Sequence, residues 1–313
     1  MTRDSDRLDQ AARAAWLSWV GGMTQDEIAR EMGISRQGAQ RLTAQAMAAG
    51  IVKVRIDHPL ADCLDLGAKL RERFGLRRAD VAPALTGQAG VAMLIAELIE
   101  SLLSREAPMT LAIGNGRTLR SGVLQMSHLD CPQHNIVSLT GNIAPDGSAA
   151  YYNVLFSLSE IVTASSFPLM VPVIAASSEE RDALHRQPGN TRVMALAAAA
   201  EAAIVGIGDL GPNAPLMADG FLSPDEVAAL SEAGGVGEIL GHAFDAHGRL
   251  LPRDVRVASA RMPDPEGRLI VAAVQGAHKR AATLGALRGG LVNGLITDEP
   301  MARWLLDQPE TAA

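Results

Sequence analysis

Apolar and polar positions recur along this chain with two different rhythms, and the change of rhythm divides it. From Leu8 to Val20 the apolar positions fall at helical spacing. Leu8, Ala12, Ala15, Trp16 and Trp19 share a face, which predicts a first helix with both tryptophans turned into a core. Residues 24–50, TQDEIAREMGISRQGAQRLTAQAMAAG, predict two more helices with both starts marked. Thr24 followed by Glu27 is a capping box, in which each side chain satisfies an orphan backbone N–H. Ile28, Ala29 and Met32 then form a narrow apolar stripe, and Gly33 supplies the left-handed residue that ends the helix. Ser35 is a fresh N-cap for a helix through about Met47. Two short helices joined by a glycine turn make a helix-turn-helix, a unit that offers the start of its second helix to the DNA major groove. After Gly50, IVKVRI alternates apolar and basic residues as a strand or wing, and His58-Pro59 breaks it as a linker.

Leu60 to Phe74 predicts a helix with Leu64, Leu70 and Phe74 on one side. From Ala79 short apolar runs alternate with helical stretches. VAPAL, TLAIG, NIVSLTGN, VPVIAAS, AAIVGIGDL and LIVAAVQG read as strands, with helices over Val91–Leu103 and from Thr118, Tyr152, Pro224 and about Lys279. Strand–helix alternation with glycine directly after the apolar runs predicts an α/β domain on a mainly parallel sheet. Ligands of such folds sit where the strands end. The expected division is therefore a helix-turn-helix domain over residues 1–56 and a larger domain over 57–313.

Charge sharpens that division. The 313-residue chain carries a net charge of −7, yet residues 1–56 hold eight Lys and Arg against six Asp and Glu. Residues 57–313 hold twenty against twenty-nine, and between Met32 and Ile56 every charged residue is a cation: Arg36, Arg41, Lys53 and Arg55. A basic head on an acidic body confines a nucleic-acid surface to the head. Cys63 and Cys131 have no metal-ligand spacing and are expected to be free thiols, and His242 and His247 fit no metal motif, so neither a metal nor a cofactor is expected. With no leader-like segment and no uninterrupted apolar run of about 18 residues, the expected location is the cytoplasm, away from membranes.

The DNA-facing candidates are Ser35, Arg36, Gln37, Gln40 and Arg41, in the first two turns of the second helix. Arginine matches guanine O6 and N7, glutamine matches adenine N6 and N7, and a serine at a helix start suits phosphate. Gly38 in the same helix reads either as room for the groove or as plain tolerance. A second candidate is Gly114-Asn115-Gly116-Arg117-Thr118, where a strand runs through glycines into a helix. Glycines let a backbone approach a ligand, and helix-start amides favour an anion, though the same turn also serves as a simple chain reversal. A third is Gln275-Gly276-Ala277-His278-Lys279, where Lys279 stands against the helix dipole unless an anion compensates it or water solvates it. Asp209, Glu238 and Asp245 offer hydroxyl acceptors on two further loops.

Five segments in this order resemble the sorbitol-operon regulator (SorC) family of bacterial transcription factors: MTQDEIAREMGISRQGAQRL, AIGNGRTL, VGIGDL, GGVGEILGHAFDAHG and GALRGGLVNGLITDEPMARWLL. The resemblance implies a helix-turn-helix joined to an effector domain like the sugar-phosphate isomerases and deaminases, assembled as a homotetramer. It implies operator DNA and a small sugar or polyol effector, phosphorylated, as partners. It further implies that Gly114–Thr118 cradles the effector phosphate with Lys279 nearby, and that Glu238 and Asp245 line the sugar end. Relatives often carry a second Thr or Ser where this chain has Arg117. SLTGN, CPQH and DGSAAYYNVL are similar to the branch attached to sugar-alcohol operons. The alternative function is a sugar-phosphate isomerase or deaminase with an accessory head, which requires a positioned acid–base pair that the sequence does not display.

Overall fold

The computed structural model describes residues 3–52, 61–144, 146–148, 152–212, 214–251 and 256–309. The chain divides into two compact units, Met1–His58 and Pro59–Ala313. The strand expected from Ile51 lies, from Lys53 onward, outside the described residues, as do the expected linker and the last four residues.

In the first unit three helices pack together: α1 (Arg3–Trp19), α2 (Gln25–Met32) and α3 (Arg36–Ala48). Both members of the Thr24–Glu27 capping box form, and Gly33 ends α2 at φ 65°. Ser35 caps α3 by accepting from the Gly38 N–H at 3.0 Å. The core is Ala11, Ala14, Ala15, Leu17, Ile28, Ala29, Ala39, Leu42 and Ala46. This corrects the expected face of α1: Leu8, Trp16 and Trp19 are 41, 59 and 46% exposed. Side-chain size at the contact sets how near two helices come, and the alanine stripe admits the closer approach.

The second unit begins with α4 (Ala61–Phe74), whose buried residues are Cys63, Leu66, Gly67 and Leu70. Leu64, expected beside Leu70, is instead 61% exposed. The strands of the main sheet are β1 (Arg78–Ala82), β2 (Thr110–Ile113), β3 (Asn135–Ser138), β4 (Ser165–Phe167), β5 (Ala202–Gly206), β9 (Leu269–Ala273) and β10 (Gly294–Asp298). Between β5 and β9 the strands β6 (Gly208–Asp209), β7 (Gly235–Ile239) and β8 (His242–Asp245) make a small antiparallel sheet. The helices that follow α4 are α5 (Gly87–Leu103), α6 (Arg117–Val123), α7 (Val154–Ser159), α8 (Ser178–His185) and α9 (Pro188–Ala199), then α10 (Pro215–Ala218), α11 (Pro224–Glu232), α12 (Arg280–Arg288) and α13 (Glu299–Leu306).

All pairings in the main sheet are parallel, in the order β1-β10-β9-β5-β2-β3-β4. Alternate residues feed two cores. Leu111, Ile113, Ile136 and Ile204 pack with Ile95 of α5, Leu119 of α6 and Leu155 of α7. Ala112, Val137, Ala203 and Val205 pack with Leu70 of α4, Val193 of α9 and Ala282 of α12. Two covered faces explain why these strands read as continuous apolar runs. The same geometry accounts for the 20-residue segment Ala84–Leu103, in which a stretch of 18 residues has a mean hydropathy of 1.3, long and apolar enough to cross a membrane. Here Val91, Ile95, Ile99 and Leu102 on that segment are buried against the sheet.

VPVIAAS is not a strand of the sheet. Pro172 lacks an N–H donor, and the run forms single bridges, Pro172 to Ile143 and Ile174 to Val257, while Val171, Val173, Ile174 and Ala175 are buried. The strand on that edge is the short and polar β4. The chain leaves β2 towards β3 and β4 and leaves β5 towards β9 and β10, so the strand order reverses between β2 and β5. In open parallel sheets this reversal opens a crevice at the carboxyl ends of the two strands.

Candidate functional site

A cavity of about 970 Å³ opens at that reversal, within the upper size range of small-molecule pockets. The loops after β2, β5 and β9 line it with Asn115 to Leu119, Gly206 to Asp209, and Gln275, Gly276, His278 and Lys279. The small sheet contributes Glu238, Leu240 and Gly241. Of the expected ligand residues, Asn115, Gly116, Arg117, Thr118, Asp209, Glu238 and Lys279 are brought together here, while Gly114 and Asp245 are not among the lining residues.

The two absences have plain causes. Gly114 is buried and donates its N–H to the Ile204 carbonyl at 2.9 Å, so its amide belongs to the sheet. Asp245 accepts from the His247 and Arg249 amides at 2.8 and 2.9 Å. Those bonds hold its carboxyl below the usual range and fix the turn after β8. Asn115 lines the cavity yet is tied down as well: its Oδ1 accepts from the Val154 N–H at 3.2 Å and its Nδ2 donates to the Gly141 carbonyl at 3.4 Å.

Gly116 and Gly276 have matching roles. They sit at φ 133° and 98° just before a helical turn, a region that residues with a Cβ rarely enter. The first amide bonded within α6 is that of Arg120, on the Gly116 carbonyl at 3.0 Å, so the amides before it lack intrahelical partners.

Opposite stands the small sheet. Gly208 pairs with Glu238 in register, and a Cβ at Gly208 would lie 2.1 Å from Glu238 Oε1. Glycine there makes room for the carboxylate. Glu238 Oε2 accepts from the Gly241 N–H at 2.7 Å. The β7–β8 turn is Leu240-Gly241, both at positive φ, as a two-residue type I′ turn requires. Leu240, at φ 56°, is the single non-glycine residue in that region among the described residues. The strain sits at the cavity wall.

Burial raises the Glu238 carboxyl above the usual range, against the Gly241 N–H and the Lys279 charge. Burial lowers Lys279, against Glu238 and Asp209. Asp209 is buried, accepts from the Gly211 N–H at 3.2 Å, and lies 3.9 Å from His278 Nε2. Two residues the sequence did not single out complete the wall: Asp219, after α10, and Tyr152. Arg117 reaches both, 3.7 Å from Asp219 Oδ1 and 4.9 Å from the centre of the Tyr152 ring. The Tyr152 side chain first, and the Asp219 charge with it, hold the guanidinium protonated more firmly than usual. Burial in turn pushes Asp219 up against the pull of Arg117. Tyr152 lay within DGSAAYYNVL, but nothing local marked either residue as an Arg117 partner.

In the first unit Ser35, Arg36, Gln37, Gln40 and Arg41 are all exposed at the start of α3. Arg36 Nε lies 3.6 Å from Asp26 Oδ1, with both side chains more than half exposed. Such a pair contributes little and yields readily to a stronger anion. A Cβ at Gly38 would meet the capping Ser35 Oγ at 3.3 Å, so this glycine also relieves its own cap.

The family model described as "Putative sugar-binding domain" matches residues 58–307. The erythritol catabolism regulatory protein EryD of Brucella abortus is 35% identical over 305 residues, 96% of either chain. The transcriptional regulator LsrR of an Enterobacter species is 31% identical over 309 residues, covering 94% of this chain and 92% of LsrR. The full-length sorbitol operon regulator SorC of Klebsiella pneumoniae superposes with a TM-score of 0.75 at 24% identity, over 95% of this chain and 98% of SorC. At that identity the likeness speaks for the fold alone.

Proposed function

The chain belongs to the sugar-binding-domain family of transcriptional regulators, and from that premise we propose that it controls a polyol or sugar catabolic operon through the cavity at the β2/β5 reversal. It is a regulator and not the isomerase or deaminase that the sequence left open, for its relatives EryD and LsrR are regulators. The observation that carries the proposal is the convergence of three strand-end loops and a hairpin on one cavity. Asn115, Gly116, Arg117, Thr118, Asp209, Glu238 and Lys279 surround a small sugar or polyol there. Gly114 and Asp245 act one step back, by fixing the loops.

Residues 1–56 form the DNA-binding domain, with Ser35, Arg36, Gln37, Gln40 and Arg41 on the operator, and residues 57–313 bind the effector. The protein works in the cytoplasm as a tetramer, a dimer of dimers on a pseudo-palindromic site, since one helix-turn-helix reads only a few base pairs. The exposed Leu64 of α4 gives that helix a free apolar residue for part of the contact.

Erythritol, ribitol and sorbitol, free and as terminal phosphate esters, are the first ligands for a thermal-shift screen. A ligand that binds the native state alone raises its apparent stability by RT ln(1 + [L]/Kd). The same ligand must change the mobility shift of DNA from upstream of the regulated genes, because response requires unequal binding to two conformations. Gly116→Val should abolish the thermal shift and leave DNA binding in place. A full response in that variant would refute the cavity assignment.

A further inference from the structure

We infer that the effector is an uncharged polyol, not its phosphate ester; this rests on the reading of the cavity as the effector site. The lining holds five carboxylates against the side chains of Arg117 and Lys279. Four of the five also accept a local backbone amide: Asp146 from Ser148 at 3.0 Å, Asp209 from Gly211 at 3.2 Å, Glu238 from Gly241 at 2.7 Å and Asp298 from Met301 at 2.9 Å. Asp209, Asp219 and Glu238 are the carboxylates whose charges act on the two cations. Arg117 is held between Asp219 and Tyr152. Lys279 sits in the field of Glu238 and Asp209. A phosphate dianion entering here would share the cavity with three carboxylates against two cations, one of which, Arg117, already lies 3.7 Å from Asp219.

Hydrogen-bond chemistry points the same way. A carboxylate only accepts, and an ionised phosphate only accepts, so the two cannot satisfy each other. A hydroxyl both donates and accepts. A chain of vicinal hydroxyls can donate to Asp209, Asp219 and Glu238 and accept from Lys279, Arg117 and the amides of the Gly116 loop. Glu238 and Asp209 are each 9% exposed, and Glu238 has one oxygen on the Gly241 amide and the other against Gly208 on the cavity wall. Such buried acceptors select a donor-rich ligand. The phosphate cradle expected of Gly114–Thr118 and Lys279 is thereby reassigned to hydroxyls.

Calorimetry on the full chain tests this with erythritol, ribitol and sorbitol, each against its terminal monophosphate at equal ionic strength, with inorganic phosphate as competitor. The best-bound free polyol should exceed its ester at least tenfold in affinity, and inorganic phosphate should not displace it. Asp219→Asn, which releases Arg117, should move the ester-to-polyol affinity ratio several-fold towards the ester. An ester that binds as tightly as the free polyol, or an unmoved ratio in Asp219→Asn, overturns the inference while leaving the cavity as the effector site. Binding of none of these probes by the parent chain, with its operator shift intact, overturns both.

Discussion

The two units of this regulator present the side chains proposed for function in opposite ways. In the head, Arg36, Gln37, Gln40 and Arg41 stand in water on a helix that other residues hold in place. In the body, Asp209 and Glu238 are nine-tenths buried, and their charges are balanced by residues from other segments. A duplex arrives as a surface and is met by a surface, whereas a small ligand has to be enclosed. The cores differ in the same sense. The fully buried residues of the head are mostly alanines with Ile28, while the body buries Phe244, Leu111, Ile113 and Ile136. Helix ends therefore carry more of the head's stability, and large apolar side chains carry more of the body's.

The largest expected effect lies in the body. Phe244, fully buried on β8 of the small sheet, should cost about 3–5 kcal/mol when cut to alanine. Denaturant unfolding measures it, and a loss near zero would break the contrast between the two cores. Next comes the reading helix. Arg36→Ala and Gln40→Ala should each weaken operator binding by ~1–3 kcal/mol, with the unfolding midpoint and effector affinity unchanged. Parent-like mobility shifts from both variants would remove α3 from the DNA.

A smaller effect belongs to the cap of α3. Ser35→Ala orphans the Gly38 amide and should take about 1 kcal/mol from the head, read as a lower melting point of its helical signal. The smallest effect is a pH dependence. The Thr24 amide, and then its hydroxyl, hold the Glu27 carboxyl below its ordinary value. Its contribution is thus fully present above that ordinary value and is lost as pH falls through the lowered one. Parent and Glu27→Gln should therefore differ in head stability at neutral pH and converge in acid; a constant gap would show that the box contributes no charge-dependent stability.

What sequence could reveal follows the same divide. Thr24, Gly33 and Ser35 act within three or four residues of themselves, so the helix ends of the head were readable one by one. The face of α1 was not, because burial of Ala11 and Ala14 in place of Trp16 and Trp19 is decided by the helices packed against it. In the body, glycine after an apolar run marked the loops that meet in the cavity. Their partners stayed hidden: Asp219 and Tyr152 reach Arg117 from distant segments, and Asp245 is drawn off by its own turn. The strand β10 and helix α13 were missed as elements because GGLVNGLITDEPMARWLL carries a strand and a helix start with Asp298 as the joint between them.

The outward tryptophans of α1 have an optical consequence. The chain has three tryptophans, two of them exposed in the head, while Trp304 is half-buried in the body with the Arg280 guanidinium 5.5 Å from its ring centre. Water-borne quenchers reach the first pair more readily than the third, so quenching should separate the two sets. Light from Trp16 and Trp19 therefore reports what touches the head, and light from Trp304 reports the body, with no label attached to either.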